Sequence, residues 1–215
     1  MAAEGKRAKK RRAAEIVSRL EEVYPGAQCS LDYKKDYELL FSVRLAAQCT
    51  DARVNLITPA LFRDYPTLEA FAQADLEALE QAVRPCGFYH VKARDIQQTA
   101  RLLLERHGGR VPDSMEALLA LPGVGRKTAN LMMGDLFGAP AIVTDTHCIR
   151  ISNRLGLVGS KVPEKVELQL IPLIAPEKQN DFCHRLVLFG RDTCSARKPR
   201  CAGCPLDGLC PRAGL

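Results

Sequence analysis

Apolar positions recur at helical intervals along nearly the whole chain. Over residues 13–23, Ala13, Ile16, Val17, Leu20 and Val23 fall on one face, the spacing of an amphipathic helix. Residues 37–48, "YELLFSVRLAAQ", read the same way. "TLEAFAQADLEALEQAVR" reads as two short helices with a break near Ala74–Asp75, and "VKARDIQQTARLLLERHGG" as one long helix stopped by Gly108 and Gly109. "PDSMEALLALPGVGRKTANLMMGDLFG" predicts two helices split at Pro122–Gly123, the second with Ala129, Met132, Met133, Leu136 and Phe137 on one stripe. Pro163, Pro172 and Pro176 delimit helices between residues 163 and 189. Only "PAIVT", residues 140–144, reads as a strand. An all-α fold follows, and helical periodicity lapses near Gly138–Pro140, the expected domain boundary.

With 47% hydrophobic residues among 215, the chain can bury a real core. No uncharged apolar run approaches the roughly 18–20 residues that a membrane span needs, and no signal-peptide core follows the basic N-terminus. A soluble, cytoplasmic protein is expected. Nine cysteines are an odd count for a disulfide framework, and clustered cysteines in a reducing compartment more often hold metal. The net charge of +6 is unevenly spread: residues 1–12 carry net +5, leaving +1 for the rest. That basic end reads either as a solvated run or as a phosphate-binding arm, so any case for DNA rests on local patches.

Three local patterns carry chemistry. In "LPGVGRKTAN", residues 121–130, Pro122 and Gly123 end one helix and Gly125 lets the next begin after a tight turn. The segment is either an ordinary helical corner or a phosphate site built from backbone N–H groups at a helix N-terminus. No strand precedes it and Thr128 takes the third glycine position, so it is not a dinucleotide-binding fingerprint. Lys127 lies in the first turn, as a solvated cation or as an amine nucleophile; the helix dipole and adjacent Arg126 both disfavour a charge there. In "VTDTHCIRISNRLG", Asp145 precedes an apolar-periodic helix (Cys148, Ile151, Leu155) and reads most simply as an N-cap, with His147 structural. In "CSARKPRCAGCPLDGLC", Cys194, Cys201, Cys204 and Cys210 follow C-x6-C-x2-C-x5-C. Structural zinc usually shows two separated knuckles, whereas this compact set suits a cubane iron–sulfur cluster better. Its first gap holds Arg197, Lys198 and Arg200, the local cationic patch that DNA binding requires.

Hairpin, lysine, aspartate and cysteine spacing, in this order over residues 15–212, closely resemble the endonuclease III family of helix–hairpin–helix DNA glycosylases and apurinic/apyrimidinic lyases. The resemblance implies a six-helix barrel domain over residues 29–139. It implies a second helical lobe, residues 1–28 and 140–215, holding a [4Fe–4S] cluster on the four cysteines, with DNA in the cleft between the lobes. It implies excision of oxidised pyrimidines from duplex DNA and nicking at abasic sites, by a monomer working on nucleoid DNA without membrane contact. Lys127 matches the family nucleophile in L-P-G-V-G-x-K, and Asp145 the acid of V-D-T-H, here V-T-D-T-H. "LAAQCTDARVN" is similar to the segment that makes Gln48 a filler of the hole left by an extruded base. "CGFYHVKA" matches a loop whose aliphatic wedge is replaced here by Phe88. Gly123 and Gly125 with Lys198 and Arg200 are the expected phosphate contacts, and the other five cysteines the expected packing thiols. The different-class alternative is a DNA-binding module without catalysis.

Overall fold

The computed structural model describes residues 4–214, all of their regular structure helical. Helices run in the order α1 (Lys6–Val23), α2 (Asp36–Ala46), α3 (Asp51–Asp64), α4 (Leu68–Gln73), α5 (Leu76–Val83), α6 (Tyr89–His107), α7 (Met115–Leu119), α8 (Arg126–Phe137), α9 (Thr146–Arg154), α10 (Pro163–Leu170) and α11 (Gln179–Asp192). Short 3₁₀ turns occupy Arg84–Cys86 and Pro176–Lys178. The chain folds as two compact units, one of residues 29–137 and one formed by the two ends, residues up to 28 and from 138.

Polar side chains set most boundaries in residues 29–137. Thr50, Thr67, Asp75 and Ser114 each accept a bond from a backbone N–H in the first turn of the helix they precede. Asp75 therefore makes the expected break between α4 and α5. Gly108 takes the left-handed conformation at the end of α6, and the Gly109 N–H returns to the Leu103 carbonyl (2.9 Å). Helix α2 is buried almost all round and packs against α3, α6 and α8. Phe71 of α4 meets Phe41 edge-on (4.9 Å between centroids) and stacks with Tyr65 (5.2 Å).

The other unit packs α11 against α1 and α9. Ala13, Ile16, Val17 and Leu20 are buried as periodicity predicts, but Val23, the last residue of α1, is exposed. The stripe of α8 likewise fades towards its end: Ala129 and Met132 are buried and Phe137 is exposed.

Two local expectations are corrected. "PAIVT" forms no strand: its apolar residues are buried, but the Val143 N–H goes to Cys183 Sγ (3.2 Å) rather than to a neighbouring strand. The basic residues 6–12 are no free arm, because they form the first turns of α1. Helix α3 also runs through Pro59, and Leu61 beyond it still reaches the core.

Gly123, at the hairpin, has φ +70, and a Cβ there would collide with the Arg44–Asp95 ion pair, itself 2.7 Å long. Gly125 has open space and an ordinary φ. Gly123→Ala is therefore expected to cost about 2 kcal/mol or more and Gly125→Ala a few tenths. Urea midpoints at unchanged m-value measure this; equal, small shifts would show that the close approach imposes nothing.

Candidate functional site

The hairpin is rigid below and open above. Leu121 is buried, while Gly123, Gly125, Arg126 and Lys127 are exposed. The Val124 N–H closes the turn on the Leu121 carbonyl (3.2 Å), and Ala129 bonds back to Gly125 (2.9 Å) as α8 begins. Arg44 of α2 and Asp95 of α6 pair beneath Gly123 and tie the turn to two core helices. Lys127 is thus presented from the first turn of a well-supported helix.

In the same unit, Gln48 and Phe88 both hold left-handed backbone conformations (φ 54 and 48). Such conformations are costly for non-glycine residues and cluster at functional positions. Both side chains are exposed, Phe88 by 65%. Beneath them lies Lys92, 1% exposed, whose ammonium donates to the carbonyls of Leu45 and Cys86, both at 2.8 Å. One buried cation therefore joins the end of α2, which leads to Gln48, to the 3₁₀ turn that leads to Phe88. Burial pushes the Lys92 pKa down, while the Cys86 and Cys49 thiols act to raise it.

Asp145 is the N-cap of α9: its Oδ1 accepts the Cys148 N–H at 2.6 Å. His147 and Arg150, on the next turn, approach the backbone of α11 so closely at Gly190 that no Cβ fits there. His147 accordingly packs against the α11 backbone, with its Nδ1 3.3 Å from Arg150 Nη2.

The four cysteines of residues 194–210 are half-buried free thiols, and all four line one cavity with Phe189 and Leu206 at its apolar wall. Among the described residues, no three His, Cys, Asp or Glu side chains are gathered as a single ion's ligands. The donor set nevertheless fits a cluster. Arg154 Nη1 and the Arg212 N–H approach Cys194 Sγ and Cys210 Sγ, each at 3.4 Å, as donors to thiolate would. Burial pushes the Cys204 and Cys210 thiols up, and the neighbouring cysteines add to it; metal ligation removes that cost by taking the proton's place.

The irregular cysteine segment is held by arginines. Arg154 donates to the Ser195 and Ala196 carbonyls (2.7 and 2.8 Å), Arg150 to Cys194 (3.0 Å) and Arg12 to Leu155 and Leu209 (2.6 and 3.0 Å). Sequence reasoning missed these arginines and Lys92. The available signal was a cation in register with an apolar stripe: Arg154 beside Ile151 and Leu155, Lys92 beside Ala93 and Ile96. Lys198 is exposed, whereas exposed Arg200 is paired with Asp192 at 2.5 Å.

The model of the HhH-GPD superfamily of base excision DNA repair proteins matches residues 41–176. Endonuclease III of Synechocystis sp. is 47% identical over 95% of this chain and 94% of its own length. That of Escherichia coli K12 is 42% identical, with 94% and 95% covered. A structure of a trapped endonuclease III–DNA covalent intermediate superposes with a TM-score of 0.89 at 41% identity, over 94% of this chain and 96% of that one. The chain belongs to the HhH-GPD superfamily. With endonuclease III relatives matching it nearly end to end, it is a base excision repair DNA glycosylase with lyase activity. The HhH-GPD match spans the hairpin, Gln48, Phe88, Lys127 and Asp145, and the longer endonuclease III alignments extend over most of the chain.

The two cations of the cysteine segment should behave differently. Lys198→Ala is expected to weaken binding to every duplex and to lower the slope of log K against log salt by about one. Arg200→Ala should lower it less, since Asp192 already neutralises that charge. Salt titrations by anisotropy measure both; an equal slope change would show that the Asp192 pair opens freely on DNA.

Proposed function

We propose that the protein excises oxidised pyrimidines from duplex DNA with Lys127 as nucleophile and Asp145 as its acid partner. It then cleaves the strand 3′ to the abasic site, acting as a monomer on nucleoid DNA. The observation that carries the reading is an exposed lysine on the first turn of the helix leaving a firmly seated hairpin. A relative at 41% identity has been trapped covalently on DNA, which supports an attacking side chain in this fold.

The chemistry follows from what each residue offers. Extruding a base costs a few kcal/mol, least where damage has weakened stacking. Gln48 and Phe88, held outward by strained backbone, fill the space it leaves and keep the helix open. The Lys127 amine attacks the sugar C1′ and the base departs. Asp145, still capping α9 through Oδ1, stabilises the positive charge that develops on the sugar and assists proton transfer. Loss of base and ring opening leave an imine between Lys127 and the sugar, and β-elimination then expels the 3′ phosphate. The backbone N–H groups at Gly123 and Gly125, with Lys198 and Arg200, bind phosphates. Cys194, Cys201, Cys204 and Cys210 hold a [4Fe–4S] cluster. When bound, that group supplies a rigid, thiolate-ligated anchor for the segment bearing Lys198.

Lys127→Ala is expected to abolish nicking of an abasic duplex while leaving its binding within severalfold of wild type. Asp145→Asn, which preserves the cap, should slow single-turnover cleavage by ~10²-fold or more with an unchanged melting temperature. Wild-type nicking by Lys127→Ala would overturn the assignment of the nucleophile.

A further inference from the structure

Two thiols lie between the loops that carry Gln48 and Phe88. Cys49 directly follows Gln48, and Cys86 stands two residues before Phe88. Cys86 is fully within the core cluster of its unit, and half-exposed Cys49 packs against that cluster. The two side chains interact directly, and the Lys92 ammonium, tied to the Cys86 carbonyl at 2.8 Å, acts on both sulfurs. The same ammonium holds the Leu45 carbonyl at 2.8 Å, so the backbone on each side is fixed to one point. The chain contains a second facing pair, Cys148 and Cys183, but it is sealed: those residues are 0% and 3% exposed. Of these two pairs, Cys49–Cys86 is the one that combines a half-exposed cysteine with a buried neighbour.

We infer that Cys49 and Cys86 are a reversible oxidation site, forming a disulfide that cross-links the Gln48 and Phe88 loops when a low-molecular-weight disulfide is in excess. The accessible Cys49 thiolate attacks one sulfur of the oxidant R–S–S–R and expels RS⁻, leaving Cys49–S–S–R. The Cys86 thiolate then attacks the Cys49 sulfur and expels the second RS⁻. The two thiol protons end on the two released RSH, so two protein thiols and one R–S–S–R become one protein disulfide and two RSH. Burial pushes the Cys86 thiol up to about 11, with Cys49 adding to it; conversion of Cys49 to the mixed disulfide removes its thiolate's share, and the nearby Lys92 ammonium offsets part of the rest. A covalent bond at this point draws the turns before Phe88 and after Gln48 together. Its consequence for damage recognition rests on the gap-filling reading of those two residues.

The test uses the full-length protein with its cluster loaded, kept anaerobic and incubated with oxidised glutathione. Digestion and mass spectrometry should yield the tryptic peptide of residues 45–53 joined to the peptide containing Cys86, two hydrogens lighter than their sum. Cys86→Ser should stall as the Cys49–glutathione mixed disulfide, and Cys49→Ser should give neither product. Oxidised wild-type protein should lose about fivefold or more of its preference for abasic over intact duplex. Dithiothreitol should restore the preference, and Cys49→Ser should be indifferent to oxidant. Wild-type protein that accumulates the glutathione adduct or remains reduced, without the cross-link, would overturn the site. A cross-link with unchanged preference, when Gln48→Ala and Phe88→Ala do reduce it, would overturn the link to recognition. If those two variants also leave the preference unchanged, the disulfide stands and the gap-filling reading fails.

Discussion

Buried backbone carbonyls that no helix can answer must find other donors, and here long cationic side chains supply them. Arg154, Arg150 and Arg12 do so for the cysteine segment. Lys92 does so for the turns before Gln48 and Phe88, and Arg101 for the Ala72 carbonyl at the end of α4. The turns that lead to Gln48 and Phe88 and the segment that carries the four cysteines and Lys198 are all irregular backbone of this kind. Arg154, Arg12 and Lys92 each satisfy two carbonyls from one long stem and so fix the segments relative to each other.

This changes what the chain's basic charge means. A net +6 concentrated near the N-terminus invites a reading as a DNA-binding arm. Arg12, within that stretch, instead turns inward to two carbonyls and pairs with Glu4 at 2.8 Å. Arg200 is similarly engaged with Asp192. Exposed cations such as Lys198 are the ones proposed to meet phosphate, on a segment held by the inward ones.

Much of this was legible in the sequence because the signals are local. Asp145 reads as a cap and is one, and the break read at Ala74–Asp75 is where Asp75 caps α5; Gly108 and Gly123 read as stops and take left-handed backbone. The buried faces of α1 and α9 follow the 3.6-residue period. The rest depends on tertiary partners. Helix α3 survives Pro59 because packing through Val54, Thr58 and Leu61 outweighs one missing bond. Residues 140–144 look like a strand by composition, yet among the described residues there is no strand to pair with, and the Val143 N–H takes a cysteine sulfur as acceptor. Lys92 shows in sequence only as a lysine out of place on an apolar stripe, and its two carbonyls come from segments distant along the chain.

The proposed chemistry turns on a covalent bond between the Lys127 amine and the sugar from which the base has departed. Borohydride reduction during turnover on an abasic duplex, followed by digestion and peptide mapping, tests it directly. A reduced sugar adduct on the side chain of Lys127 is expected, absent in Lys127→Ala. An adduct on the N-terminal amine or another lysine, at wild-type yield in Lys127→Ala, would contradict it.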